Sequence, residues 1–167
     1  MFSIYNNGKS SPMGYSQTLE NGLKISNFAL FSSAADAVEL CLFRDGKESR
    51  FAMSRTDDIW HVAIEGVELN DEYAFRITGK NNRTLANPQK LMLDPYAKAV
   101  THKPDLSSSD ARSIFLLNDE RDNAAVAPKG RIVDEHFDWS RDCKPSIPWA
   151  QTIVYELNVK GFSQLNS

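Results

Sequence analysis

The amino-acid sequence predicts a mainly β protein whose first 85 residues form an immunoglobulin-like antiparallel β-sandwich. Three observations carry that prediction. Apolar residues alternate in twos from Leu23 to Ile77, the spacing that turns one face of a strand toward a core. Polar turn clusters interrupt the alternation at short intervals, and no helical period appears before about residue 85.

Each strand follows in order. In "GLKISNFALFS" Phe28 and Leu30 share a face, and "AVELCLF" repeats the arrangement with Val38, Leu40 and Leu42. Asp45-Gly46 in "RDGKE" is a two-residue hairpin signal, because both central positions tolerate positive φ. The returning "SRFAMS" turns Phe51 and Met53 inward. "RTDD" then leads into "IWHVAIEG", and "LNDE" leads into "YAFRITG", where Tyr73, Phe75 and Ile77 align. Trp60 points away from its neighbours Ile59 and His61, and either face of that strand can be the buried one.

Composition changes at "TGKNNRTLANPQKLMLDPYAKAV". Pro88 and Pro95 break any long element while Leu91, Met92 and Leu93 supply an apolar clasp, so residues 86–150 read as a packed connector. Within it, Ser109 or Asp110 is placed to cap a single helical turn. Val133, Phe137, Trp139 and Trp149 punctuate an aperiodic, Pro-containing stretch, as expected of a segment that lies against a surface. The final "TIVYELNVKGF" is a β-branched and aromatic run of the kind used by central strands covered on both faces, and such a strand needs neighbours.

With 167 residues, 41% apolar and 25% charged, the chain can bury one core with an appendage. Its net charge of -3, with Lys and Arg interspersed among Asp and Glu, gives no attraction to phosphate backbones or anionic lipid. Nucleic acid and membrane are therefore not expected partners. The N-terminus has no basic segment followed by an apolar one, and no apolar run approaches about 18 residues, which makes the expected location cytoplasmic. Cys41 in a strand and Cys143 in a loop read as a core thiol and an incidental thiol rather than a disulfide framework. The sequon Asn82-Arg83-Thr84 reads as a chance match.

Chemistry-bearing patterns are sparse. His61, His102 and His136 are scattered, with no ligand spacing for a metal, and nucleotide-binding and acyl-transfer motifs are missing, so no metal and no cofactor is expected. Glycoside hydrolysis requires two carboxylates about 5 to 10 Å apart. Asp57-Asp58 and Asp71-Glu72 fall in hairpin turns, where acids serve turn geometry. Glu156 interrupts the last apolar run and reads either as an inward residue at a barrel mouth or as a structural carboxylate paired with a base. Rings stack on the apolar faces of pyranoses, and Trp60, Tyr73 and Phe75 lie on adjacent strands; they are either a sugar platform or core.

"ANPQKLMLDPYAKAV", followed by "RDNAAVAPKGRIVDEHFDWSRDCKPSIPWAQTIVYELNVKGFSQL", resembles the N-terminal part of bacterial glycogen debranching enzymes of the isoamylase type, in the α-amylase superfamily. The NP-to-DPYA connector, the PK-to-FDW segment and the PW-to-VKGF strand stand in the same order as in that family. The resemblance implies three parts: a carbohydrate-binding module of family 48 over 1–85, a connector over 86–150 wrapped on the next domain, and over 151–167 the start of a catalytic (β/α)8 barrel that is otherwise absent from these residues.

The activity so implied is hydrolysis of α-1,6-glucosidic branch linkages in glycogen or its limit dextrins. Its catalytic acids lie on later barrel strands, so no catalytic residue is expected here. An alternative is a stand-alone glycogen-binding or regulatory module. The expected partner is an α-glucan or the chain's own missing barrel. The matched strands retain Trp60, Tyr73 and Arg76 as candidate carbohydrate contacts. Candidate interface residues toward the barrel are Asn87, Pro88, Lys90, Asp94, Pro95, Tyr96, Phe137, Trp139, Trp149, Tyr155 and Glu156. The chain departs from the family before its NP connector, where only "TGKNNRTLANP" stands in place of a longer aromatic and Gly-rich segment.

Overall fold

The computed structural model describes residues 1–79 and 86–164, so the sequon at Asn82 and the expected end of the sandwich at 85 lie outside the described residues. Two compact units are present, Met1–Asp134 and Glu135–Ser167. The first is built on two antiparallel sheets. One contains β1 (Ser3–Asn6), β2 (Gly14–Glu20), β3 (Leu23–Phe31), β6 (Ser54–Thr56) and β7 (Ile59–Glu65), with spatial order β1-β7-β3-β2 and β6 also paired to β7. The other runs β5 (Lys47–Ala52), β4 (Ala37–Arg44), β8 (Glu72–Thr78), β9 (Gly130–Arg131).

Turn chemistry sets the register. Asp45 and Gly46 take φ values of 52° and 74°, the double positive φ of a tight hairpin, and Arg44 pairs with Lys47 across the turn. Asn21 and Gly22 do the same at 51° and 80° between β2 and β3. That Asn-Gly pair was as legible as Asp45-Gly46, yet β1 and β2 are not among the strands expected from the sequence.

The alternating residues meet between the sheets. Phe28, Leu30, Trp60, Val62 and Ile64 from one sheet pack against Val38, Leu40, Leu42, Tyr73 and Phe75 from the other in a single core cluster. Asp71, expected to serve only turn geometry, is buried and accepts two hydrogen bonds from Arg44, at 2.8 and 2.6 Å, and one from the Glu68 amide at 2.7 Å. It closes the β7–β8 connection onto the end of β4.

The second sheet is buried on both faces. A separate cluster of Cys41, Phe43, Ala74, Leu91 and Ala127 lies on its outer side, beneath residues 86–134. That strap adds β9 to the edge of β8 and a further antiparallel bridge between Met92 and Phe75. The single helical turn is α1 (Ser109–Ser113); its cap is Ser108, whose Oγ accepts from the Ala111 amide at 3.0 Å, one residue earlier than expected.

In the second unit Trp149–Gln151 forms a 3-10 turn and α2 spans Val159–Ser163. Residues 152–158 carry no strand, a correction to the sequence expectation. A strand exists through its inter-strand hydrogen bonds, and no described residue pairs with this run. Asn158 instead caps α2, accepting from the Gly161 amide at 2.9 Å. Among the described residues no helix is long and apolar enough to cross a membrane.

Gly46→Ala meets open space but must hold a positive φ, and is expected to lower unfolding free energy by about 1 kcal/mol in urea melts. No loss would mean that the turn is not fixed in this geometry.

Candidate functional site

Arg76 sits at the centre of the outer face of the second sheet. Strand alternation sends Tyr73 and Phe75 to the inner core and Arg76 outward, where its side chain is 1% exposed. Its guanidinium donates to Glu48 on the edge strand β5 (Nε to Oε1 2.9 Å), to both oxygens of Asp122 (3.0 and 2.9 Å) and to the Pro88 carbonyl (3.0 Å). One side chain thus ties β8 to β5 and to two points of the strap. Burial works against the guanidinium's charge, yet the hydrogen bonds it donates to Glu48 and Asp122 outweigh that and raise its pKa.

Glu48 shows the reciprocal effect. Burial pushes its pKa up, but hydrogen bonds from Arg76, then Arg50 and Cys41, hold the carboxyl at about 2, below the ordinary 4.5. On the same face the Cys41 thiol is pushed up to about 12 by burial and by the adjacent Glu48, which makes it a poor nucleophile.

Further along the strap, polar groups are satisfied internally. Lys90, buried, donates to the Arg121 carbonyl at 2.6 Å and lies 3.5 Å from Asp119. Asn87 Nδ2 donates to the carbonyls of Leu117 and Asp119, at 2.8 and 3.1 Å. The Asn123 side chain accepts from the Leu91 amide at 2.7 Å. Asp94, buried, accepts from the Tyr73 hydroxyl at 2.8 Å and from the Tyr96 amide at 2.9 Å; burial raises its pKa against those two hydrogen bonds.

The three expected carbohydrate contacts are thereby relocated. Trp60 is 6% exposed, faces the core and donates its indole N–H to the Ser32 carbonyl at 3.0 Å. Tyr73 and Arg76 are each 1% exposed and use their polar atoms inside the protein. None presents a ring face or a free donor to a sugar. The cause is packing: sheet faces that would display them are covered by the opposite sheet or by the strap.

Of the expected interface residues, Asp94 bonds Tyr73 and the Pro88 carbonyl bonds Arg76, whereas Asn87 and Lys90 hold residues 117–121 of the strap. Pro95 and Tyr96 remain exposed, Tyr96 at 50%. In the second unit Phe137, Trp139, Trp149, Tyr155 and Glu156 are exposed, with the Phe137 and Trp139 rings tilted against each other at a 4.5 Å centroid distance. Glu48, Asp122 and Asn123 were missed in the sequence, because nothing local to them announces a partner 28 to 46 residues away. No group of three or more His, Cys, Asp or Glu side chains among the described residues is arranged to hold a metal.

Two antiparallel sheets closed on one core, with the outer face of the second sheet sealed by a polar-locked strap, define a β-sandwich module. The chain belongs to the family described as carbohydrate-binding module 48, the isoamylase N-terminal domain, whose model matches residues 12–97. It is 61% identical over 167 residues to a Haemophilus influenzae protein named glycogen operon protein GlgX homolog, covering 99% of this chain and 25% of that one. It is 40% identical over 168 residues to a Yersinia enterocolitica glycogen debranching enzyme, covering 95% of this chain and 24% of the relative. The chain therefore spans about a quarter of the length of these curated relatives. Among solved structures, the catalytic module of the multi-modular glycogen-degrading pneumococcal virulence factor SpuA shares the fold, with a TM-score of 0.50 and 22% identity over 77% of this chain and 17% of that one.

Arg76→Met leaves Glu48 and Asp122 without their common cation and is expected to cost about 3 kcal/mol in urea unfolding at pH 7. Because the Glu48 pKa is depressed in the folded state, the stabilisation it reports is complete above about 4.5 and is lost as pH falls toward about 2. The difference between Arg76→Met and the unaltered chain should therefore shrink across that window in paired acid titrations. A difference that stays constant from pH 7 to pH 2 would place the cost outside the ion pair.

Proposed function

We propose that these residues are the N-terminal, non-catalytic part of a glycogen debranching enzyme that hydrolyses α-1,6-glucosidic branch linkages in glycogen or its limit dextrins. The observation that carries the reading is the 61% identity across nearly the whole chain to a glycogen operon protein of which it spans a quarter. An enzyme of that length has room for a catalytic (β/α)8 barrel of about 250 residues beyond this module.

The division of labour within the chain supports the reading. Polar residues of the strap are consumed in fixing it to the sandwich, whereas the second unit leaves Phe137, Trp139, Trp149, Ile153, Val154 and Tyr155 between 64 and 95% exposed. Six large apolar side chains crowded into so short a segment are the composition of an interface, and we assign them, with Tyr96, to contact with the catalytic domain. The sandwich then acts as a rigid partner of that domain, and the α-glucan is the substrate of the assembled enzyme.

Reading the coding DNA downstream of codon 167, together with the intact mass of the native polypeptide, tests this. An open frame that continues into a barrel, with a native mass about four times 18.8 kDa and release of linear chains from limit dextrin, is the expected result. A native polypeptide of 18.8 kDa accumulating in cells would overturn it in favour of a stand-alone module.

A further inference from the structure

A cleft of about 730 Å³ opens at the end of the second sheet, where the β4–β5 hairpin, residues 68–72 and the strap near Lys129 converge. Its volume lies within the range of small-molecule sites. The charges lining it are unevenly matched. Asp71 is held by Arg44, Glu72 by Arg131 at 3.2 Å, and Glu48 by Arg76 and Arg50. Glu68 stands 3.6 Å from Arg44 with its side chain 72% exposed.

Lys129 has no such match. It is 7% exposed, its Nζ reaches only the Ala127 carbonyl, at 3.4 Å, among the described residues, and it rests over the Phe43 ring at 4.9 Å from the centroid. Among the described residues no carboxylate lies within ion-pair distance of it. An ammonium carries three donors; the carbonyl and the ring face occupy two, which leaves one without an acceptor among the described residues, beside the cleft that Lys129 lines. Burying a cation in that state is unfavourable unless something in the cleft completes it.

We propose that this cleft is a binding site for a small oxyanion ligand, a phosphate or carboxylate group on a compact polar molecule, with the Lys129 ammonium as its anchor. The oxyanion supplies the acceptor oxygens that the protein withholds from Lys129. Asp45 at the exposed hairpin tip and Glu68 on the rim accept hydroxyls of the remainder of the ligand, and they limit the affinity for a bare anion. The cleft meets the Arg76 lock at Glu48, whose carboxylate is engaged by Arg76 and Arg50.

Calorimetric titration of the 167-residue chain with inorganic phosphate, and separately with malonate, tests the proposal and tells the two oxyanion sources apart. Binding of either probe is expected. Lys129→Met, which keeps the aliphatic contact with Phe43, should weaken it by about ten-fold or more. Asp45→Asn suits the same positive φ while removing one rim charge, and should tighten binding by about two-fold. Failure of both probes to bind, or equal affinity in Lys129→Met, would overturn the site. If Lys129→Met does not fold, Asp45→Asn decides: unchanged affinity for the probe would overturn it as well.

Discussion

The buried guanidinium of Arg76 is the constraint on which the rest of the first unit depends. A cation with 1% exposure must be met by carboxylates and carbonyls, and those come from β5, from Pro88 and from Asp122. Satisfying it draws a strand, the start of the strap and its middle to one point. Once they are there, Leu91 and Ala127 can cover Cys41, Phe43 and Ala74, and Ile132 reaches the inner core. A well-packed apolar substitute for such a network can be equally stable. What the ion pairs add is position: the strap can sit in only one register, fixed further by the Met92–Phe75 and Gly130–Tyr73 pairings.

That register explains how one chain serves as both core and connector. The inner sheet face is a conventional sandwich interior, filled by alternate residues of five strands. The outer face of the second sheet would be exposed in an isolated sandwich, and here it holds a second apolar cluster under a largely irregular segment. Residues 86–134 are therefore part of the module rather than a tether, and the compact unit closes at Asp134. The exposed aromatic segment begins immediately afterwards.

Much of this was legible in the sequence where the signal is local. The alternation in "AVELCLF" and "YAFRITG" located β4 and β8, Asp45-Gly46 located the hairpin from β4 to β5, and the Leu91 clasp pointed to a packed segment. Other features depend on distant partners. Nothing in "GKESR" or "ERDNAA" says that Glu48 and Asp122 will share Arg76, and Trp60 carried no mark of which face is buried until Ser32 offered its carbonyl. The apolar run at 152–158 has the composition of a central strand but no strand beside it, and backbone pairing rather than composition decides whether a strand exists. The family motif, by contrast, is a long local pattern, which is why the kinship to debranching enzymes could be read before the fold.

The central claim, that the strap is an integral layer of the sandwich, is tested most directly by native-state amide exchange. The Leu91 and Met92 amides, bonded to Asn123 and Phe75, and the Ile132 amide, bonded to Asp71, should open with the same free energy as Leu40 and Leu42 in β4. Exchange of those three amides at the fast rate of residues 152–158, while β4 stays protected, would show that the sandwich stands without its strap and would contradict the account.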